Sequence, residues 1–161
     1  MVRVKIKLKY TKFQIVAEII AILTLIGMFI YPFIMWGDMP DKIPMHYNGV
    51  GEITRWGSKY ELIILSFVGA FLYLMITVVM FFPSIWNVSV TVTDKNRDRV
   101  YGCIRSMIVL LKAEIMATFF YLIYNSIQAK NLSSDFLQIE LTTIFGTLIF
   151  FIIRLIKVSK I

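Results

Sequence analysis

The sequence predicts an all-α membrane protein: a four-helix transmembrane bundle with a long structured extracellular loop and, as a candidate extra element, a short cytoplasmic β-ribbon. Three observations carry that prediction. Of 161 residues, 58% are hydrophobic and only 17% charged, with mean hydropathy +0.76, whereas a water-soluble domain carries roughly 25% charged residues. The apolar residues fall in four blocks of about 20, the length that a hydrocarbon core of about 30 Å requires. The basic residues cluster on one side of the resulting topology, which orients it.

The spans fall at about 15–35, 62–82, 107–127 and 137–156, within a single membrane domain covering 1–161. The first follows a basic leader, but its apolar block exceeds a signal-peptide core and no small-x-small pattern precedes Trp36, so it reads as a retained span. With the N-terminus inside, the cytoplasmic segments hold Arg3, Lys5, Lys7, Lys9, Lys12, Lys95, Arg97, Arg99, Arg105, Arg154, Lys157 and Lys160. Only Lys42, Arg55, Lys59 and Lys130 fall outside, with Lys112 inside a span. Positive residues set orientation, so both termini are expected in the cytoplasm of a bacterial inner-membrane protein. The net charge of +7 is therefore read as positive-inside flanks rather than as a nucleic-acid surface.

The cytoplasmic segments are 1–12 and 84–105. In the first, Val2, Val4, Ile6, Leu8 and Tyr10 alternate with Arg3, Lys5, Lys7 and Lys9; in the second, Val88, Val90 and Val92 alternate with Ser89, Thr91 and Thr93. Period two reads as strand, and the two stretches are expected to pair as a ribbon unless 1–12 is only a basic anchor. Ser58 with Glu61, and Asp135 with Gln138, have the spacing of capping boxes ahead of the second and fourth spans. Thr93-Asp94 is placed to cap a helix that continues as the third.

The outer loop, 36–60, is far longer than a helical hairpin needs. Turn-formers (Gly37, Pro40, Pro44, Asn48, Gly49, Gly51, Gly57) lie among Asp38, Asp41, His46, Glu52 and Arg55. Long loops without evident secondary structure tend to be functional or disordered, and Trp36, Tyr47, Trp56 and Tyr60 argue against disorder. A compact lid on the outer helix ends is expected. His46 is a candidate metal ligand, general base or proton switch, with Asp38, Asp41, Asn48 and Glu52 near enough in sequence to converge on it. The alternative is that His46 and Asn48 tie the loop's own backbone, with Gly49 and Gly51 supplying positive φ.

The run from Met39 to Gly51, MPDKIPMHYNGVG, followed by Trp56-Gly57-Ser58-Lys59, resembles the signature of a widespread family of small bacterial membrane proteins. That signature reads Pro, two residues, Ile-Pro, one residue, His-Phe/Tyr-Asn, then Gly, and ends in a lysine before the next span. It is shared with SdpI-type immunity proteins, which protect toxin-producing bacilli from their own secreted peptide. Trp86-Asn87-Val88 and the run 92–101 resemble a four-span version of the family. SdpI-type proteins add a domain with a Gly-x-Arg-Thr element and further spans, with no counterpart in these 161 residues. The resemblance marks Pro40, Pro44, His46, Asn48, Gly49, Gly51, Trp56 and Lys59 as outer-loop binding candidates and implies immunity as a function.

A second constellation lies in the spans: Glu18, Lys112, Glu114 and Arg154. Intramembrane ionisable residues face the bundle interior or water. Lys112 and Glu114 point apart, so the expected pairs are Glu18 with Lys112 and Glu114 with Arg154, unless Glu114 lines an aqueous cavity for a proton or cation. Cys103 and His46, the lone cysteine and histidine, cannot form a familiar zinc cluster, and no protease, P-loop or dinucleotide motif is present. No cofactor is expected.

The leading expectation is a non-enzymatic membrane protein whose outer loop engages a peptide toxin. The alternatives are a tether or transporter accessory recruiting a cytoplasmic regulator, and an intramembrane enzyme or ion handler.

Overall fold

The computed structural model describes residues 8–160. Four helices, α1 (Lys12–Met35), α2 (Glu61–Phe81), α3 (Arg97–Ile127) and α4 (Phe136–Ser159), run up and down, with strands β1 (Lys42–Tyr47) and β2 (Ile53–Ser58) between the first two. All four are long and apolar enough to cross a membrane. Their outward faces are apolar too: Leu23, Ile64, Phe71 and Ile149 are all well exposed. A soluble protein does not present such continuous apolar surface, so this is a multi-pass membrane protein. At 1.5 Å per residue, 31-residue α3 is about 46 Å long. It overruns a hydrocarbon core by about ten residues, which accounts for the charged first turns of α3 ahead of the expected span.

α3 is the central post, touching α1, α2 and α4 in turn. One apolar core, including Met28, Leu62, Met116 and Ile123, continues upward to Met39 and Ile43 at the base of the hairpin. Pro32 sits inside α1 and has no N–H for the carbonyl four residues back. Ser66 of α2 supplies the missing donor, its hydroxyl lying 2.8 Å from the Met28 carbonyl oxygen.

The caps differ from those expected. α1 starts on a full capping box: the Gln14 N–H donates to Thr11 Oγ1 (3.2 Å) and the Thr11 N–H to Gln14 Oε1 (3.1 Å). The Ser58 box is half made, since Glu61 Oε1 accepts the Ser58 N–H at 3.0 Å while the Ser58 hydroxyl accepts from Tyr60. Asp135 makes no side-chain cap. Asn96, rather than Thr93 or Asp94, precedes α3; its Oδ1 accepts the Thr93 N–H and its amide donates to the Ser159 carbonyl at 2.9 Å. That bond brings the end of α4 beside the start of α3. Arg105 donates to the Leu8 and Lys9 carbonyls, so residues 8–11 lie at this same terminal end.

Two expectations about strands are corrected. Residues 88–93 form no strand, and among the described residues the hairpin is the sole sheet; of the other half of the expected ribbon, 2–10, residues 8–10 form no strand and 2–7 lie outside the described residues. The alternation itself is real. Val88, Val90 and Val92 are half-buried and their neighbours exposed, but Val90 lies with Ile104, Phe151 and Leu155 of α3 and α4 rather than against a strand. Conversely, the outer loop, expected as an irregular lid in an all-α fold, contains an antiparallel pair. Its register runs from Lys42 opposite Ser58 to Tyr47 opposite Ile53, with irregularities around His46. Pro44 and Gly57 hid it, since each ordinarily argues against a strand.

Candidate functional site

The hairpin is built by the residues that the motif singles out. Asn48 makes its turn: Oδ1 accepts the N–H groups of Val50 (3.1 Å) and Glu52 (2.9 Å), and Nδ2 donates to Glu52 Oε2 at 2.8 Å. Gly51 follows at φ +80°, with the Leu132 and Ser133 carbonyl oxygens 2.7 and 2.8 Å from where a Cβ would stand. Only glycine meets both demands. Its carbonyl accepts the Leu132 N–H (2.9 Å), and Asn131 Oδ1 accepts the Ile53 N–H (3.1 Å). The turn is thereby fastened to the α3–α4 connection. Tyr47 adds a contact between its hydroxyl and Ser126 Oγ at 3.3 Å; burial pushes its phenol above the ordinary value, outweighing the Ser126 bond. Gly49, by contrast, does not adopt positive φ.

Lys59 closes the base. Its side chain is largely buried, with Nζ 3.4 Å from Asp41 Oδ1, 3.5 Å from the Met39 carbonyl oxygen and 5.4 Å from the Trp36 ring centre. Ile43 and Pro44 are buried beneath the strand and Pro40 is exposed. His46 Nδ1 lies 2.5 Å from Thr54 Oγ1, and that hydroxyl reaches the His46 carbonyl at 3.3 Å. Convergence of Asp38, Asp41, Asn48 and Glu52 on His46 is therefore corrected: Asp41 goes to Lys59 and Glu52 to Asn48. Among the described residues no group of three or more His, Cys, Asp or Glu side chains is placed to hold a metal. Among the residues the hairpin exposes are His46, Val50, Thr54, Arg55 and Trp56, the last half-exposed.

The charged layer divides at α3. Lys112 is fully buried; Nζ donates to Glu18 Oε1 (2.7 Å) and Thr77 Oγ1 (3.0 Å) and lies 4.4 Å from the Tyr73 ring centre. Tyr73 donates its hydroxyl to the same Glu18 oxygen at 2.6 Å. One ion pair thus ties α1, α2 and α3 together. On the other side, Glu114 pairs with Thr147 rather than with Arg154, Oε1 accepting that hydroxyl at 2.6 Å. Arg154 is seven residues on, about 10 Å further along α4, where it lies beside Cys103 at the terminal end.

Sequence reasoning also missed Glu140. Its Oε1 accepts from Thr118 Oγ1 at 2.5 Å, in the same α3–α4 recess as Glu114. The signal was there, a carboxylate three residues into the expected fourth span.

Residues 23–70 match the model of a family described as a domain of unknown function (DUF1648). The match takes in the second half of α1, the whole hairpin and the first half of α2. No curated protein and no solved structure matches the chain.

Proposed function

We propose that this chain is a non-enzymatic membrane protein whose hairpin end recognises a peptide, protecting the bacterium that makes it from a secreted peptide toxin. It sits in the cytoplasmic membrane with both termini inside, the orientation that its Lys and Arg distribution favours. One observation supports this reading above the others. Asn48, Gly51, Ile43, Pro44 and Lys59 are consumed in building and fastening the hairpin, which leaves a platform bearing exposed Trp56 beside Arg55, itself exposed but paired with Glu61 at 2.9 Å. Trp and Arg are the residue types that most often dominate protein recognition, and a preformed platform loses little entropy on binding. The resemblance to SdpI-type proteins supplies the class of ligand.

Survival of a gene-deletion strain exposed to its own culture supernatant tests the proposal. Deletion is expected to sensitise the cells and wild type to rescue them. Trp56→Ala is expected to accumulate normally in the membrane yet fail to rescue. Unchanged sensitivity after deletion, or full rescue by Trp56→Ala, defeats the reading.

A further inference from the structure

α1 and α4 both lean on α3, and a groove runs between them with α3 as its floor. It has two lobes of about 580 Å³ each, which share Thr11, Ser106 and Arg154 as lining residues. The lobe at the terminal end is lined by Lys9, Arg99, Arg105 and Arg154 against, among the described residues, a single carboxylate, Asp98. The other reaches into the span and is lined by Phe13, Leu110, Phe150 and Phe151, with Gly146 and Thr147. A glycine stands in each lobe, Gly102 and Gly146, and a Cβ on either would meet nothing within 4 Å. The groove is open space, not a seam between packed side chains.

Arg105 makes the basic lobe unusual. It is only 6% exposed, its guanidinium donates to the Leu8 and Lys9 backbone carbonyls and stacks 4.3 Å from the Tyr10 ring centre, and its Nε is buried without an acceptor. Among the described residues, neither Arg105 nor Lys9, Arg99 or Arg154 has a carboxylate partner. A buried guanidinium without a counter-charge is costly, so this lobe favours an anion. The lobe beyond it favours hydrocarbon.

We propose that this groove is a binding site for one anionic phospholipid, its phosphate held in the Lys9–Arg99–Arg105–Arg154 lobe and an acyl chain lying along Phe13, Leu110 and Phe150. Basic recesses between membrane helices take anionic head groups by this charge complementarity. A free phosphate would satisfy the first lobe and leave the second unfilled, so the amphipathic lining selects the lipid. The bound lipid would also fill the space between α1 and α4 above α3.

The test is native mass spectrometry of the full chain, delipidated in an uncharged detergent and titrated with phosphatidylglycerol or phosphatidylcholine of identical acyl chains. Wild type is expected to retain one phosphatidylglycerol in clear preference to phosphatidylcholine. Arg99→Gln and Arg154→Gln, both at exposed positions, are each expected to weaken that binding about fivefold. Gly146→Leu, which fills the apolar lobe without a clash at Cβ, is expected to remove it. Equal retention of the two lipids, or wild-type binding by Gly146→Leu, overturns the site. Displacement of the lipid by inorganic phosphate as readily as by more phosphatidylglycerol would identify a phosphate site and overturn the lipid assignment.

Discussion

The two sides of α3 solve the problem of polar groups in an apolar slab differently. Towards α1 and α2, a buried lysine meets a glutamate, and a threonine and a tyrosine crowd the same pair. Towards α4, two glutamates rest on threonine hydroxyls with no cationic partner among the described residues, and Phe151 alone of α4 is buried. The first arrangement is neutralised and closed, and the hairpin grows from its upper end. The second is an un-neutralised contact with a groove beside it. The contrast says that α1, hairpin, α2 and α3 form one unit around a buried ion pair, which α4 joins through hydroxyl–carboxylate bonds.

The largest expected effect is on the closed side. Lys112→Met strands Glu18 in the interior, and breaking a buried pair costs about 3–5 kcal/mol. Replacing both partners, Lys112→Met with Glu18→Gln, removes the stranded charge and is expected to recover most of the loss. Unfolding in detergent or by added SDS measures both. Additive losses in the double variant would mean that the pair is not what joins the helices.

Next come the two backbone devices of the same unit. Gly51→Ala forces a Cβ against the Leu132 carbonyl at positive φ and is expected to cost about 1–3 kcal/mol. Hydrogen exchange at the Leu132 N–H, which the Gly51 carbonyl accepts, should speed up with it; unchanged exchange would mean that the turn is not fastened there. Ser66→Ala leaves the Met28 carbonyl without its donor, a loss of about 1–2 kcal/mol. Pro32→Ala restores a helical N–H to that carbonyl, so it should rescue Ser66→Ala. Failure to rescue would break the link between the proline and the serine.

Much of this unit was legible in the sequence because its signals are strong and local. Blocks of apolar residues marked the spans to within a few residues at most ends, and two ionisable residues in separate spans suggested each other. The hairpin was not legible as strands. Pro44 and Gly57 interrupt any alternation, and the pairing depends on the fit of Gly51 under Leu132 and of Ile43 into the core between the helices, contacts made across the chain that no local pattern records. The valines at 88–92 failed in the opposite way. Their period is a correct statement about faces, but a period does not say whether the partner is a strand or two helices. Glu114 was mispaired because depth counted from span ends carries an error of a turn or two, enough to separate it from Arg154.

The smallest effect is the one that sharpens the contrast most. Glu114→Gln keeps an oxygen able to accept from Thr147 and removes a carboxylate that has no cationic partner among the described residues. Losing no ion pair, it is expected to change stability by less than about 1 kcal/mol, well below the cost of Lys112→Met in the same assay. Glu140→Gln, on Thr118, should behave alike. If either variant proved as damaging as Lys112→Met, the α4 side would be holding a charge partner of its own, and the division of the bundle into an ion-paired side and a hydroxyl-bonded side would fall. Near-equality of the two glutamine variants with wild type would instead show that neither glutamate holds an ion pair on the α4 side, in contrast to Glu18 on the other.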